Sequence, residues 1–350
     1  KKNMTCFLHL TLVPYISAAG EVKTKPTQHS VKELRSIGIQ PDILVCRCDR
    51  EISKSDIRKI SVFCNVDEDS VIQAIDVDTI YAVPKDLKIN GLDVAVLNAL
   101  GKSTFPKSNL RKWNKVVDRI RKPTGEVTIG VVGKYLELND AYKSLFEALT
   151  HGGVSNNVKV KIKNIDTDKL EKNKNKTLFN GVNGLLVPGG FGKRGSEGKI
   201  FASKYARENK IPFFGICFGM QMAVVDVSRN LLEYKSASSS EFGKTDTPVI
   251  GLLTEWLKDE EIQKRDFESE YGGTMRLGSY PAILKKGSKV RNIYGSKKIN
   301  ERHRHRYEVN MSFVDDLERV GLKFVGMSPD GLLPEIVELK NHPWFIGVQF

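Results

Sequence analysis

Pro212-Phe213-Phe214-Gly215-Ile216-Cys217-Phe218-Gly219-Met220-Gln221 is a short apolar run that ends in Gly-x-Cys-x-Gly and passes into a helix-compatible stretch, Met220 to Arg229. A strand, a sharp turn and a helix in that order predict a nucleophile elbow, with Cys where hydrolases usually carry Ser. Gly215 and Gly219 flank the Cys because so tight a turn leaves no room for Cβ atoms beside it. The turn lifts the sulfur clear of the sheet and sets it at a helix N-terminus, where the dipole favours thiolate. A lone Cys in an apolar run is ordinarily a small buried hydrophobe. The paired glycines and the strand-to-helix switch point instead to a catalytic nucleophile at Cys217.

The rest of the 350-residue chain sets the frame for that elbow. Its length implies about two domains. Five cysteines give no disulfide framework, and Cys46-Arg47-Cys48 lacks metal-ligand spacing, so the thiols read as reduced and cytoplasmic. The net charge of +13 suits nucleic acid or a substrate bearing several phosphates. No RNA-binding signature or basic–aromatic platform accompanies it, which favours the phosphorylated substrate. Phe7 to Ala19 is apolar, but His9 and Pro14 interrupt it and it is too short to span a membrane. It reads as a buried parallel strand that runs into a loop. No signal peptide is visible.

From Lys1 to about Leu100, β-rich runs alternate with helical patterns, the signature of an α/β domain. Lys23-Thr24-Lys25-Pro26-Thr27-Gln28 precedes a helix expected at Val31 to Ser36 with Ser30 as its cap. The basic run is either a polyphosphate cradle or a solvated loop, and composition alone fits the loop somewhat better. Strands are expected at Asp42 to Cys48 and from Ser61 to Cys64, with a short helix at Ser55 to Ile60 between them. Asp76 and Asp78 lie beside a β-rich run, where they suit a ribose, a metal or an ordinary exposed turn. Residues 101–125 shift to Lys, Ser, Pro and Asn around one helical patch, Leu110 to Ile120, and read as a linker. Val127 to Tyr135 resembles a P-loop only superficially, since the first glycine is missing and Tyr135 replaces Ser/Thr.

Gly184 to Gly192 reads as a buried strand that breaks into a glycine loop. Such a loop brings a bare backbone N–H close to a substrate carbonyl, as acyl transfer to a Cys nucleophile requires. Farther on, Glu241 lies in a polar stretch and Tyr271 to Gly278 reads as a glycine-rich turn into a strand. Period two along Glu301 to Tyr307 places His303, His305 and Tyr307 on one face and the three arginines on the other.

Together these segments resemble the CTP synthase family, over essentially the whole chain. The resemblance rests on His9 to Tyr15, Gly20 to Ser30, Val187 to Gly192, Gly215 to Gln221, Gly272 to Gly278 and Glu301 to Asn310. It implies two α/β domains. Residues 1–100 would be part of a P-loop-type (dethiobiotin-synthetase-like) synthase domain, and 126–350 a flavodoxin-like class I glutaminase, with 101–125 as linker. It implies ATP-dependent amination of UTP to CTP with ammonia from glutamine, GTP as activator, CTP as inhibitor, Mg2+ with ATP, and a cytoplasmic homotetramer that binds neither nucleic acid nor membrane.

By the same resemblance, Cys217 is the nucleophile, served by the Phe218 N–H and the Gly190 region at the oxyanion. Gly219, Met220, Gln221, Glu241 and Arg306 match positions at the glutamine, with Glu241 suited to the α-ammonium and an arginine to the α-carboxylate. Lys23, Thr24, Lys25, Pro26, Thr27, Gln28 and Lys59 match the uridine or cytidine nucleotide site. Asp76 and Val77 match the ATP site, although Ile75 stands where a basic residue is common, and Arg265 falls in the GTP-responsive region. Family members carry their P-loop and magnesium-binding acids ahead of the strand at Phe7, and a His-Pro-Glu after Gly-Val-Gln-Phe. A chain lacking both is expected to bind substrates incompletely and to catalyse poorly by itself. The alternatives are a stand-alone glutaminase or γ-glutamyl hydrolase, which leaves Lys23 to Gln28 unemployed, and a non-catalytic nucleotide-binding scaffold.

Overall fold

The structure is a computed structural model that describes residues 4–102, 104, 108–134, 142–252, 255–258, 261–264 and 275–350. Arg265, Gly272 to Thr274, Tyr135 and Asp140 lie outside the described residues. The chain forms two compact units, Lys1–Pro123 and Thr124–Phe350. No helix among the described residues is long and apolar enough to cross a membrane.

The first unit is built on a three-stranded parallel sheet in the order Leu8–Leu12, Ile43–Cys48, Val71–Ile75. Its central strand is apolar on both faces, as a covered parallel strand must be. Leu44, Cys46 and Cys48 pack with Val31, Ile60 and Cys64, whereas Ile43 and Val45 pack with Ile72 and Ala95. The strand at Leu8–Leu12 departs from the expected buried one. It lies at the sheet edge with Leu8, Leu10 and Leu12 exposed and Thr11 turned inward.

Two helices also differ from expectation. The first begins at Lys25 and runs to Ser36, with Pro26 in its opening turn. Proline is pre-set for that position, so it starts the helix inside the basic run instead of leaving the run as a loop. The second, Lys54–Cys64, absorbs the strand expected from Ser61 to Cys64. Ile60, Ser61 and Cys64 are its buried residues, which is helical spacing, and Ser53 caps it by accepting from the Asp56 N–H. The stretch read as a linker holds a further helix, Arg111–Arg121. It is tied to its own unit by the Trp113 indole donating to the Tyr81 carbonyl at 2.7 Å and by Arg121 on Asp78.

The second unit carries a nine-stranded sheet. Across it run Lys298–His305, Arg276–Leu284, Leu322–Met327, Pro334–Leu339, Phe345–Val348, Phe213–Ile216, Gly184–Val187, Gly125–Gly133 and Val158–Asp166. From Phe345–Val348 onward all pairings are parallel, and the earlier ones are antiparallel. The elbow strand, Phe213–Ile216, is therefore central, between Gly184–Val187 and Phe345–Val348. The helix after it, Phe218–Asn230, is buried at every position from Phe218 to Ser228, and its apolar surface meets core on all sides. The Asp226 carboxylate takes two hydrogen bonds from Arg207 at 3.1 Å and one from the Ser203 hydroxyl at 3.0 Å. These fix the elbow helix to the helix Ser196–Glu208.

Candidate active site

Cys217 adopts φ 51° and ψ −106°, a strained conformation that places the residue on the outside of the turn. Its backbone N–H donates to the Val348 carbonyl at 2.6 Å, which anchors the turn to the neighbouring strand. Close packing explains the flanking glycines. A Cβ on Gly215 would lie 2.8 Å from the Gly219 and Met220 backbone, and one on Gly219 would lie 2.0 Å from the Val187 carbonyl oxygen. Gly219→Ala is therefore expected to lower stability by roughly 1–3 kcal/mol through overpacking against backbone. Thermal unfolding checks this, and a variant that melts with the wild type would mean the helix does not sit so close.

The sulfur faces a cavity of about 830 Å³. Gly190, Gln221, Glu241 and Arg306, far apart in sequence, all line it together with Cys217. Phe218 is buried behind the turn, with its ring beside Phe242 and the Lys199 ammonium. Gly219 and Met220 are buried in the elbow helix; Met220 packs under Gly347, so these two serve by shaping the turn. Gln221 donates its amide to the Tyr307 carbonyl at 2.8 Å and lies 3.3 Å from the Gln349 side-chain oxygen. Glu241 accepts the Gly192 N–H at 2.7 Å. Burial pushes its carboxyl up, against that hydrogen bond and the charges of Lys134 and Arg306.

Sequence reasoning missed Lys134, Lys199, Arg302, Arg304 and Gln349 as cavity residues. Period two had set Arg302, Arg304 and Arg306 on one face, and all three line the cavity, together with His305 from the other face. With Lys134 they make a cation-rich chamber in which Glu241 is the one carboxylate among the described residues, suited to a ligand with its own carboxylate. The Gln349 amide lies 3.7 Å from the Cys217 sulfur. The helix dipole was expected to favour thiolate, yet burial pushes the thiol up to about 11. The Phe218 backbone and Lys199 pull it down; Glu308 and Glu241 raise it further.

His303 and His305 do not stand over the sulfur. They belong to a buried cluster around Arg276, whose partners come from distant parts of the chain. The Arg276 guanidinium donates to Glu335 at 2.6 Å and to Glu308 at 3.2 Å. His303 Nδ1 lies 3.0 Å from His305 Nε2 and 3.6 Å from Glu335. One guanidinium faces two buried carboxylates, and burial raises both carboxyls despite it. Burial drives Glu308 well above the carboxylate range, helped by Glu335, and lifts Glu335 to about 7. Burial, then the Arg276 charge, takes His303 down to about 3, and His305 also falls well below its ordinary value. Burial thus works against the charged form of both imidazoles and both carboxyls. His342 is farther off, with its ring against the Ala206 carbonyl.

In the first unit, Thr24 and Thr27 are buried. Thr27 bonds to Thr11 and the Leu12 carbonyl and so holds helix to strand, while Gln28 donates to Thr24 within the helix start. Lys25 and Pro26 are exposed on the first turn, Lys23 pairs with Glu21, and Lys59, whose charge reaches Glu21, is exposed nearby. Asp76 pairs with Arg47 at 2.8 Å, with Val77 half-buried beside it.

Residues 1–101 match the family described as CTP synthase N-terminus, and residues 137–350 match glutamine amidotransferase class-I. Among curated proteins, the CTP synthase of Paramagnetospirillum magneticum is 59% identical over 99% of this chain and 64% of its own length. The CTP synthase of Rhizobium leguminosarum bv. trifolii is 60% identical over 100% of this chain and again 64% of its own. The chain thus spans 64% of the length of these relatives. Among solved structures, the glutaminase domain of Trypanosoma brucei CTPS with bound acivicin is 34% identical, with a TM-score of 0.57. That match covers 64% of this chain and 85% of the other.

Proposed function

Because the chain belongs to the class I glutamine amidotransferase family, we propose that it carries the glutaminase site of a CTP synthase, which aminates UTP to CTP at the expense of ATP. The observation that carries this reading is the joining, in one chain, of the Cys217 cavity to a segment matching the CTP synthase N-terminus. On this reading the domains run 1–100, 101–125 and 126–350, as synthase part, linker and glutaminase.

In the glutaminase reaction the Cys217 thiolate attacks the side-chain amide carbon of glutamine. The carbonyl electrons move onto oxygen, where the Phe218 N–H and the Gly190 N–H receive them. Collapse of this intermediate, with the proton shed by the thiol delivered to the nitrogen, expels ammonia and leaves a glutamyl thioester; water then adds its hydroxyl to the glutamyl carbon and its proton to the sulfur, giving glutamate and the free thiol. Gln221, Glu241 and Arg306 hold the substrate, with Glu241 at the α-ammonium and Arg306 at the α-carboxylate. A planar guanidinium meets a carboxylate through two parallel hydrogen bonds, which an ammonium cannot match. Arg306→Lys is expected to raise the glutamine KM by roughly tenfold or more, and an unchanged KM would remove Arg306 from the site.

The synthase step belongs to the first unit. There Lys23, Lys25 and Lys59 suit the nucleotide phosphates, Thr24, Pro26, Thr27 and Gln28 shape that turn, and Asp76 and Val77 suit ATP. GTP as activator, with Arg265 in its region, CTP as inhibitor, a homotetramer and a cytoplasmic setting complete the proposal. Mg2+ would accompany ATP. Among the described residues no three His, Cys, Asp or Glu side chains stand together as a metal site.

The test is UTP amination by the intact protein, with glutamine and separately with ammonium, each with and without ATP. ATP-dependent CTP from both nitrogen sources is expected. Glutamate release without CTP under any condition would leave a glutaminase alone.

A further inference from the structure

The Gly189–Gly190 peptide, beside the nucleophile, is one whose orientation its own residues do not determine. Neither residue has a side chain, so the peptide plane turns without the steric cost that fixes other residues. A carbonyl and the N–H of the same trans peptide point in opposite directions. Whichever way the Gly189 carbonyl faces, the Gly190 N–H faces the other. Something outside the loop must choose.

Lys199 is placed to do so. It projects from the helix Ser196–Glu208 and is 2% exposed. Its ammonium donates to the Pro188 carbonyl at 2.9 Å and lies 3.5 Å from the Gly189 carbonyl. The Phe218 ring sits 4.9 Å from the same nitrogen. A Cβ on Gly190 would come within 3.2 Å of it, so a side chain there would crowd the ammonium. The rest of the loop is pinned too, the Phe191 carbonyl by Lys134 and the Gly192 N–H by Glu241. Within the described residues no hydrogen bond engages the Gly189 or Gly190 N–H. The helix bearing Lys199 cannot drift, because Ser203 and Arg207 lock it to Asp226 on the elbow helix.

We propose that Lys199 is a positioning residue that holds the Pro188 and Gly189 carbonyls away from Cys217 and so keeps the Gly190 N–H turned toward the developing oxyanion. Lys199 touches neither substrate nor sulfur in this role; it acts through the loop backbone. The proposal rests on the glutaminase reading above. Burial and the Lys134 charge take the amine down to about 7, against the pull of the Cys217 thiolate. The amine donates hydrogen bonds whether protonated or neutral, so the comparison at pH 8.5 reads them in either form.

The experiment compares wild type, Lys199→Met and Lys199→Gln in the intact protein at pH 8.5. It measures glutamate release, Cys217 alkylation by iodoacetamide and thermal unfolding. Losing one oxyanion donor costs on the order of 10²–10³ in kcat. Lys199→Met is accordingly expected to lose roughly that in glutaminase kcat, with KM and the alkylation rate each within about threefold of wild type, because alkylation forms no oxyanion. Retention of kcat within threefold would overturn the proposal, and so would alkylation that falls in step with kcat. Should Lys199→Met not fold, Lys199→Gln decides, since it keeps an N–H donor in the same pocket. A kcat above one-tenth of wild type supports the clamp, and a fall in kcat and alkylation together refutes it. No glutamate from the wild type would defeat the glutaminase reading itself, whereas glutamate from wild type and variants alike would defeat only the role of Lys199.

Discussion

Cys217→Ala is expected to abolish glutamine-dependent CTP formation, by roughly 10⁴-fold or more, and to leave ammonia-dependent formation within about twofold. The asymmetry follows from where the sulfur lies. Cys217 sits at the outer tip of the elbow, on the wall of the cavity, and its backbone rather than its side chain makes the structural bond to Val348. Removing the sulfur deletes a nucleophile without breaking the turn. Ammonium supplied from solution needs no thioester, so the synthase step retains its nitrogen source. Equal loss of both activities would contradict separate sites. Full retention of the glutamine reaction would take Cys217 out of the chemistry altogether.

Arg276→Met is expected to cost roughly 3–5 kcal/mol, read as a lowered urea midpoint, because it leaves two carboxylates buried without their cation. Arg276 is 2% exposed, and Glu308 and Glu335 are 4% and 0% exposed, so water cannot take its place. The same cluster sets a pH dependence. Glu335 has a folded-state pKa of about 7, above the 4.5 of an unperturbed Glu, so the folded state binds more protons between these values. Its contribution to stability is fully present below about pH 4.5 and is lost as pH rises through about 7. Glu308 shifts in the same direction. Arg276→Met together with Glu308→Gln and Glu335→Gln should recover much of the loss. A triple variant as unstable as Arg276→Met would show that packing, not charge, dominates there.

How far the sequence discloses this site depends on the range over which each signal acts. The elbow is legible because its cause is local: two glycines, one Cys and an apolar run within ten residues of one another. The alternation of Glu301 to His305 is legible for the same reason, and it ends at Arg306, where the chain leaves one sheet for another. Lys25 to Gln28 misleads because its charges suggest a loop, while Pro26, the helix-starting signal, is a single residue among them. Ser61 to Cys64 misleads because two β-favouring residues, Val62 and Phe63, happen to lie on the exposed side of a helix. Arg276 and Lys199 are not legible at all. Each is a cation in an unremarkable local setting whose partners arrive from elsewhere, 59 residues away for the Arg276–Glu335 pair and 11 for Lys199 and the Pro188 carbonyl.

The anchoring of Cys217 to the strand Phe345–Val348 also orders events in time. The Cys217 sulfur and the Gln349 amide that faces it are separated by 132 residues, and Gln221 and Gln349 by 128. Contacts of such long sequence separation form late, after the entropy of closing the intervening loop has been overcome. On the ribosome, the elbow strand emerges well before the strand that will cover its open edge, so that edge, with Phe213 and Phe214, waits unpaired. Cys217 thus acquires its strained turn geometry only when Phe345–Val348 docks, and a nascent or partly unfolded chain carries the thiol without that geometry.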